Sequence, residues 1–263
     1  MSKEEILKPP FGYPGGKTKT AKYIIEHLPY RGMYIEPFGG SAAILLARRS
    51  SKLEVFNDRY AGVTDFYRCL RDKELTERLC RWLDLNVHSK EEWVRCHDTW
   101  ENTYDPVERA ARWYYMTVYS FGQMGRNFGR ATSTSGVFSG KIKKKLPLFP
   151  ILHDRFKKVQ VENRDALECL KDYDNLDAVF YLDPPYVEAY SGAHKHTMTQ
   201  DTHRRMLDII FGMRAFVAVS GYPNPLYENQ DWDDRIEWES FISIQAPGKS
   251  DRTFTKEVLW IKK

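Results

Sequence analysis

Four consecutive residues, Asp183-Pro184-Pro185-Tyr186, hold the sharpest chemical signal in this chain. They follow the apolar run Val179-Phe180-Tyr181-Leu182, which reads as a buried strand, so two prolines stiffen the backbone just past a strand's carboxyl end. Open α/β sheets bind their ligands at that end. The Asp183 carboxylate and the Pro184 carbonyl can accept the hydrogens of an exocyclic aromatic amine, and Tyr186 can stack on the ring that carries it. Such a set keeps electron density on the amine nitrogen and suits transfer of a small group onto it. An ordinary strand-ending turn is the competing reading.

Two further segments could hold the donor of that group. In Tyr34-Ile35-Glu36-Pro37-Phe38-Gly39-Gly40-Ser41 a strand runs into glycines that let a ligand approach the backbone. Glu36 and Asp58 can accept hydrogen bonds, and Asp58, after the second strand, is well placed for ribose hydroxyls. The segment lacks the full Gly-x-Gly-x-x-Gly pattern, and an acid before the turn does not invite phosphate. A nucleoside with an amino-acid tail fits better than a dinucleotide. The second segment, Phe11-Gly12-Tyr13-Pro14-Gly15-Gly16-Lys17-Thr18, superficially resembles a phosphate-binding loop, but the first required glycine is Phe11 and no hydrophobic strand precedes it. Lys17 at a helix start is better used against a carboxylate than against a positive helix end.

These segments need elements to position them. Thr18 to Leu28 reads as a helix, Met33 to Phe38 as a strand, Ala42 to Arg49 as a helix, Leu53 to Phe56 as a strand and Gly62 to Arg71 as a helix. The alternation resumes with strand Lys158 to Glu162, helix Ala166 to Lys171, strand Ala178 to Leu182, helix Thr202 to Met213 and strand Phe216 to Ser220. This is a doubly wound α/β layout. Glu239 to Gln245 and Glu257 to Lys262, with no helix between them, read as an antiparallel hairpin. In the middle third, Asp105-Pro106-Val107-Glu108 is a helix start with Glu108 placed to close a capping box. Gly122 to Gly140 can form a loop or a hairpin but hardly a helix. Residues 62–150 are read as a lobe inserted into a domain made of 1–61 and 151–263.

The formal charge of the 263 residues is only +4, but from Arg109 to Lys158 eleven Lys or Arg face a single acid, Asp154. That stretch suits a polyanion, although a solvated surface gives the same count. No apolar run is long enough to cross a membrane, and the charged start Met1-Ser2-Lys3-Glu4-Glu5 does not open a secretory signal, so a cytoplasmic protein is expected. The four cysteines form no Cys-x-x-Cys pair and are expected as reduced thiols. His194, His196 and His203 lack further ligands at metal spacing, so no metal is expected. Trp93, Trp100 and Trp113 read as core of the lobe, and Val187 to Gln200 as a mobile lid.

Taken together and in this order, the three segments resemble the DNA adenine-N6 methyltransferases of the Dam type (class alpha, D12 family). Tyr13-Pro14-Gly15-Gly16-Lys17 matches that family's aromatic-x-Gly-Gly-Lys segment, Glu36 to Gly40 its Glu-Pro-Phe-x-Gly segment, and the tetrad is complete. Ala42 departs from the pattern where relatives often carry glycine, which should narrow the turn. The resemblance implies a Rossmann-like, S-adenosylmethionine-dependent methyltransferase fold with an inserted helical and hairpin recognition lobe. It implies S-adenosyl-L-methionine as cofactor, held by Tyr13, Gly15, Gly16, Lys17, Glu36, Pro37, Phe38, Gly39, Gly40, Ser41, Asp58 and Asp165. Double-stranded DNA is the implied partner, contacted by Arg126, Asn127, Phe128, Arg130, Lys141, Lys143, Lys144, Lys145 and Arg252. Arg126 would read a guanine, and Phe121, Met124 or Phe128 would fill the gap left by a flipped adenine. A monomer or weak dimer is the expected state, and a restriction endonuclease is a conceivable companion. The rival readings are an RNA base methyltransferase and a non-catalytic DNA-binding protein on the same fold.

Overall fold

The computed structural model describes residues 7–130, 138–187, 198–241 and 254–263. Its sheet is built from β1 (Met33–Glu36), β2 (Leu53–Asn57), β3 (Val159–Glu162), β4 (Ala178–Leu182), β5 (Phe216–Gly221), β6 (Asp234–Phe241) and β7 (Phe254–Lys262). The order is β3-β2-β1-β4-β5-β7-β6, parallel except where β7 runs antiparallel between β5 and β6. β1 and β4 are neighbours in the centre, so the chain reverses its direction of sheet growth there. That switch point opens a crevice at the strands' carboxyl ends.

Strand alternation decides what each face meets. Tyr34, Val179, Tyr181, Ala218 and Leu259 share one core with α1 (Ala21–Glu26), α2 (Ala43–Ala47), α3 (Ala61–Leu70), and the later helices α6 (Pro106–Val118) and α7 (Phe149–Phe156). Ile35, Phe180, Leu182 and Val219 face α8 (Ala166–Asp172), α9 (Gln200–Gly212) and α10 (Pro225–Glu228). Between α3 and α6 the chain adds α4 (Lys73–Leu85) and α5 (Lys90–Thr99), two helices the sequence pattern does not single out. The core here is aromatic: Phe66 stacks on Tyr114 at 4.7 Å, and Trp93, Trp100 and Trp113 are all buried. Burying each such ring stabilises by roughly 1.5–3 kcal/mol, and these rings belong to one core that is continuous with the sheet face. The 61/62 and 150/151 boundaries fall inside α3 and α7.

Local chemistry explains several element ends. Asp105 accepts the Glu108 N–H at 2.8 Å and Pro106 sits in the first turn of α6, as the sequence predicts. The Glu108 carboxylate does not close the box; it pairs with Arg112 one turn on. The final hairpin is present, but β6 starts at Asp234 rather than Glu239. Residues 122–130 form a short loop closed by an antiparallel bridge between Ser120 and Phe128. Among the described residues no helix is long and apolar enough to cross a membrane.

Candidate active site

Asp183 stands one residue beyond β4, where the sheet hands it to the crevice. Lys17 Nζ donates to both of its oxygens at 2.9 Å, and Ser220 Oγ donates to Oδ1 at 2.8 Å. Lys17 gets there because the Tyr13–Gly16 segment is a tight turn, with Gly16 N–H bonded to the Tyr13 carbonyl at 2.9 Å and Gly15 at φ +71°. The turn throws the lysine inward: it is only 4% exposed, also donates to the Gly15 carbonyl, and lies 5.1 Å from the Tyr186 ring centroid. Burial alone would pull this ammonium down. The charge of Asp183, with lesser help from Tyr181 and Glu257, outweighs that and holds Lys17 above its ordinary range. The carboxylate that Lys17 meets is therefore the chain's own.

The glycine turn after β1 is held by Asp58. Its Oδ2 accepts the Gly40 N–H at 2.8 Å and its Oδ1 the Tyr60 N–H at 2.7 Å. Burial pushes this carboxyl up to about 6, against the pull of those two bonds. A side chain at Gly39 would place Cβ 2.1 Å from the Phe56 ring, and one at Gly40 would meet the Tyr13 ring at 3.0 Å. Tyr13 thus lies over the turn and feels both Asp58 and Asp183, which joins the two halves of the site. Ala42, fully buried, sits at φ 58° and ψ 32° as the N-cap of α2. That left-handed geometry costs an L-residue roughly 1–2 kcal/mol and accounts physically for a preference for glycine there.

Some predicted ligands have other partners. Glu36 is 2% exposed; its carboxyl takes the Tyr34 hydroxyl at 2.7 Å and the Leu45 N–H in the first turn of α2. Burial raises this carboxyl to about 8, against the pull of the Tyr34 hydroxyl and the nearby Leu45 N–H. Asp165 caps α8 through the Leu167 N–H at 2.8 Å while staying partly exposed beside Arg59. The Pro37 carbonyl takes the Asn57 amide at 2.8 Å, the Ser41 carbonyl takes the Tyr67 hydroxyl at 2.7 Å, and Phe38 packs against the α8–α9 core.

Past Asp183, Pro184 is buried and Tyr186 meets Tyr222 edge-on at 4.6 Å. Pro184, Tyr186, Ser220, Tyr222, Asn224 and His203 help line a small pocket. His203 is bonded to the Tyr227 hydroxyl at 2.7 Å. Sequence reasoning missed Ser220 and Tyr222. The available signal was position, since Ser220 is next to last in β5 and Tyr222 follows it, at the carboxyl end of a strand adjoining β4.

In the lobe, Phe121 N–H bonds the Asn127 carbonyl at 2.8 Å and Gly129 N–H the Tyr119 carbonyl at 2.7 Å, which presents Arg126 and Asn127 exposed. Phe121 is 75% exposed, whereas Phe128 stacks on His88 at 4.7 Å and belongs to the lobe's core. Gln123, at φ 57°, accepts the Gly12 N–H and ties this loop to the lysine segment. Of the cationic stretch, Arg109, Arg112 and Arg155 pair with acids of the fold, and Lys143 lies 3.5 Å from Asp84. Arg130 and Lys144 are exposed, while Lys141 lies over the Phe138 ring and Lys145 is half-buried. Arg252, His194, His196 and most of the Val187 to Gln200 stretch lie outside the described residues.

A family model described as D12 class N6 adenine-specific DNA methyltransferase matches residues 13–227, a span that takes in the lysine segment, the glycine turn, the lobe and the tetrad. No curated protein matches the chain.

Proposed function

Because the chain belongs to the D12 class of N6 adenine-specific DNA methyltransferases, we propose that it methylates adenine in duplex DNA with S-adenosylmethionine as the donor, acting on a base turned out of the helix. The observation that carries the reading is the joining of two half-sites by one turn: the Tyr13 ring packs against Gly40, whose N–H Asp58 accepts, while Lys17 of the same turn pairs with Asp183 of the tetrad. The donor's class fits the first half-site. Each oxygen of the acid after β2 accepts one backbone N–H, so it retains lone pairs for ribose hydroxyls. Bound there, S-adenosylmethionine supplies an electrophilic methyl on a sulfonium.

The chain's own work is positioning. N6 cannot be reached inside a base stack, so the base must leave it. Asp183 and the Pro184 carbonyl accept the amine hydrogens, Tyr186 supplies the flat wall, and Lys17 keeps Asp183 an acceptor. No side chain need become a covalent intermediate, and catalysis rests on orientation and fixed charge. The lobe of residues 62–150 reads the DNA, with Arg126 and Asn127 at the loop and Phe121, the exposed ring, in the gap left by the base.

Titration calorimetry tests the donor half. S-Adenosylmethionine should bind the native chain, and Asp58→Ala should weaken it by about tenfold or more through lost hydrogen bonds to a charged acceptor. Heat with ATP and none with S-adenosylmethionine overturns the reading.

A further inference from the structure

Asp183 is held by more than Lys17. Strand alternation puts Tyr181 and Asp183 of the β4 run, and Ala218 and Ser220 of β5, on the same face of the sheet, with Leu182 of β4 paired to Val219 of β5. Ser220 therefore comes beside Asp183. Its hydroxyl lies 2.8 Å from Asp183 Oδ1 and 3.0 Å from the Tyr181 hydroxyl, with Ser220 1% and Tyr181 3% exposed. An ionised carboxylate only accepts, and serine has one hydrogen to give. The Ser220 proton points to Asp183, so the Tyr181 hydroxyl must donate to Ser220. The alternative acceptor for serine, the Leu182 carbonyl, is at 3.3 Å and uncharged.

A carboxylate offers about four lone-pair sites. Lys17 takes one on each oxygen and Ser220 a second on Oδ1. One site on Oδ2 remains. The buried Tyr186 hydroxyl lies close enough to Asp183 and Ser220 to be perturbed by both, but it makes no hydrogen bond of normal geometry to either, so that site stays open. The other titratable groups that face Asp183 and Lys17 are Tyr13, Tyr222 and Glu257.

We propose that Tyr181 and Ser220 form a directional two-hydroxyl relay that orients Asp183 and leaves one lone pair of Oδ2 to receive the amine hydrogen of the target base. The inference rests on the function proposed above, and both residues are positioning residues. Tyr181 acts only through Ser220, so their effects are in series.

The test uses Ser220→Ala, Tyr181→Phe and the double variant of the full chain. Single-turnover methyl transfer should fall on the order of tenfold to a hundredfold in Ser220→Ala, the range for a hydrogen bond to a charged group. Tyr181→Phe should lose less, and the double variant no more than Ser220→Ala. Affinities for S-adenosylmethionine and duplex should hold while the rate falls, which separates a positioning loss from a loss of fold or binding. A near-native rate in Ser220→Ala, or single effects that multiply in the double variant, overturns the relay. A native enzyme that forms no N6-methyladenine overturns the proposed function instead, whereas product from the native enzyme with an unmoved Ser220→Ala rate overturns the relay alone.

Discussion

Replacing Glu36 by glutamine separates a structural acid from a cofactor ligand. The buried carboxyl is raised to about 8 from an ordinary 4.5 because burial outweighs the Tyr34 and Leu45 hydrogen bonds and the nearby charge of Arg48. A raised acid binds its proton more tightly when folded, so its contribution is harmless below 4.5 and turns progressively destabilising as pH climbs from there to about 8. At 1.36 kcal/mol per pH unit the ceiling on that loss is about 5 kcal/mol. Glutamine keeps the shape and an acceptor for Leu45 but removes the titration, at a cost of about 1 kcal/mol for a poorer bond to Tyr34. Urea unfolding at pH 5, 7 and 9 should therefore find the variant slightly weaker than the native chain in acid and stronger in base. Calorimetry with S-adenosylmethionine should find its affinity unchanged. A stability difference that is flat with pH, or a tenfold loss of cofactor affinity, refutes the reasoning and returns Glu36 to the cofactor site.

The left-handed turn at Ala42 should tolerate glycine with a change of less than about 1 kcal/mol, because the relieved strain and the lost buried methyl nearly offset. Ala42→Val should lose about 3 kcal/mol or more, since a β-branched residue fits neither the turn nor the space; equal unfolding midpoints for both variants would sink this account of the turn. Arg126→Ala should cost on the order of 1–3 kcal/mol on the preferred word and blur discrimination at one base pair. Lys144→Ala should instead weaken all duplexes alike and lower the salt slope by up to about one unit. Isotherms on matched and mismatched duplexes at two salt concentrations separate the two, and uniform loss in the arginine variant makes it a phosphate contact.

What could be read in the sequence was local. Ala178–Leu182 is a continuous apolar run stopped by Asp183 and two prolines, and it is β4 to the residue. The α6 start was equally plain, since Asp105 and Pro106 act within one turn. β6 was misplaced because Asp234-Arg235-Ile236-Glu237 is charged, and charge is tolerated there by the sheet edge, where Arg235 pairs with Glu228 and Glu237. Lys17 and Asp183 are 166 residues apart, so neither could reveal the other. Glu36 has the right type and place for a ligand. Its burial against the Tyr34 hydroxyl is set by tertiary packing, which no residue type announces. The cationic stretch overcounts free charge, because Arg109, Arg112 and Arg155 pair with acids of the fold.

The most direct measurement quantifies N6-methyladenine by mass spectrometry of digested duplex after reaction with the native chain and with a variant lacking Asp183. Asp183→Ala alone would leave the Lys17 ammonium buried without its carboxylate, a loss that can cost about 3–5 kcal/mol. The informative variant is therefore Asp183→Ala with Lys17→Met, which removes both charges of the pair. With S-adenosylmethionine binding retained by calorimetry, the account predicts N6-methyladenine from the native chain and at least about a hundredfold less from the variant. Product from the variant at a near-native rate contradicts it.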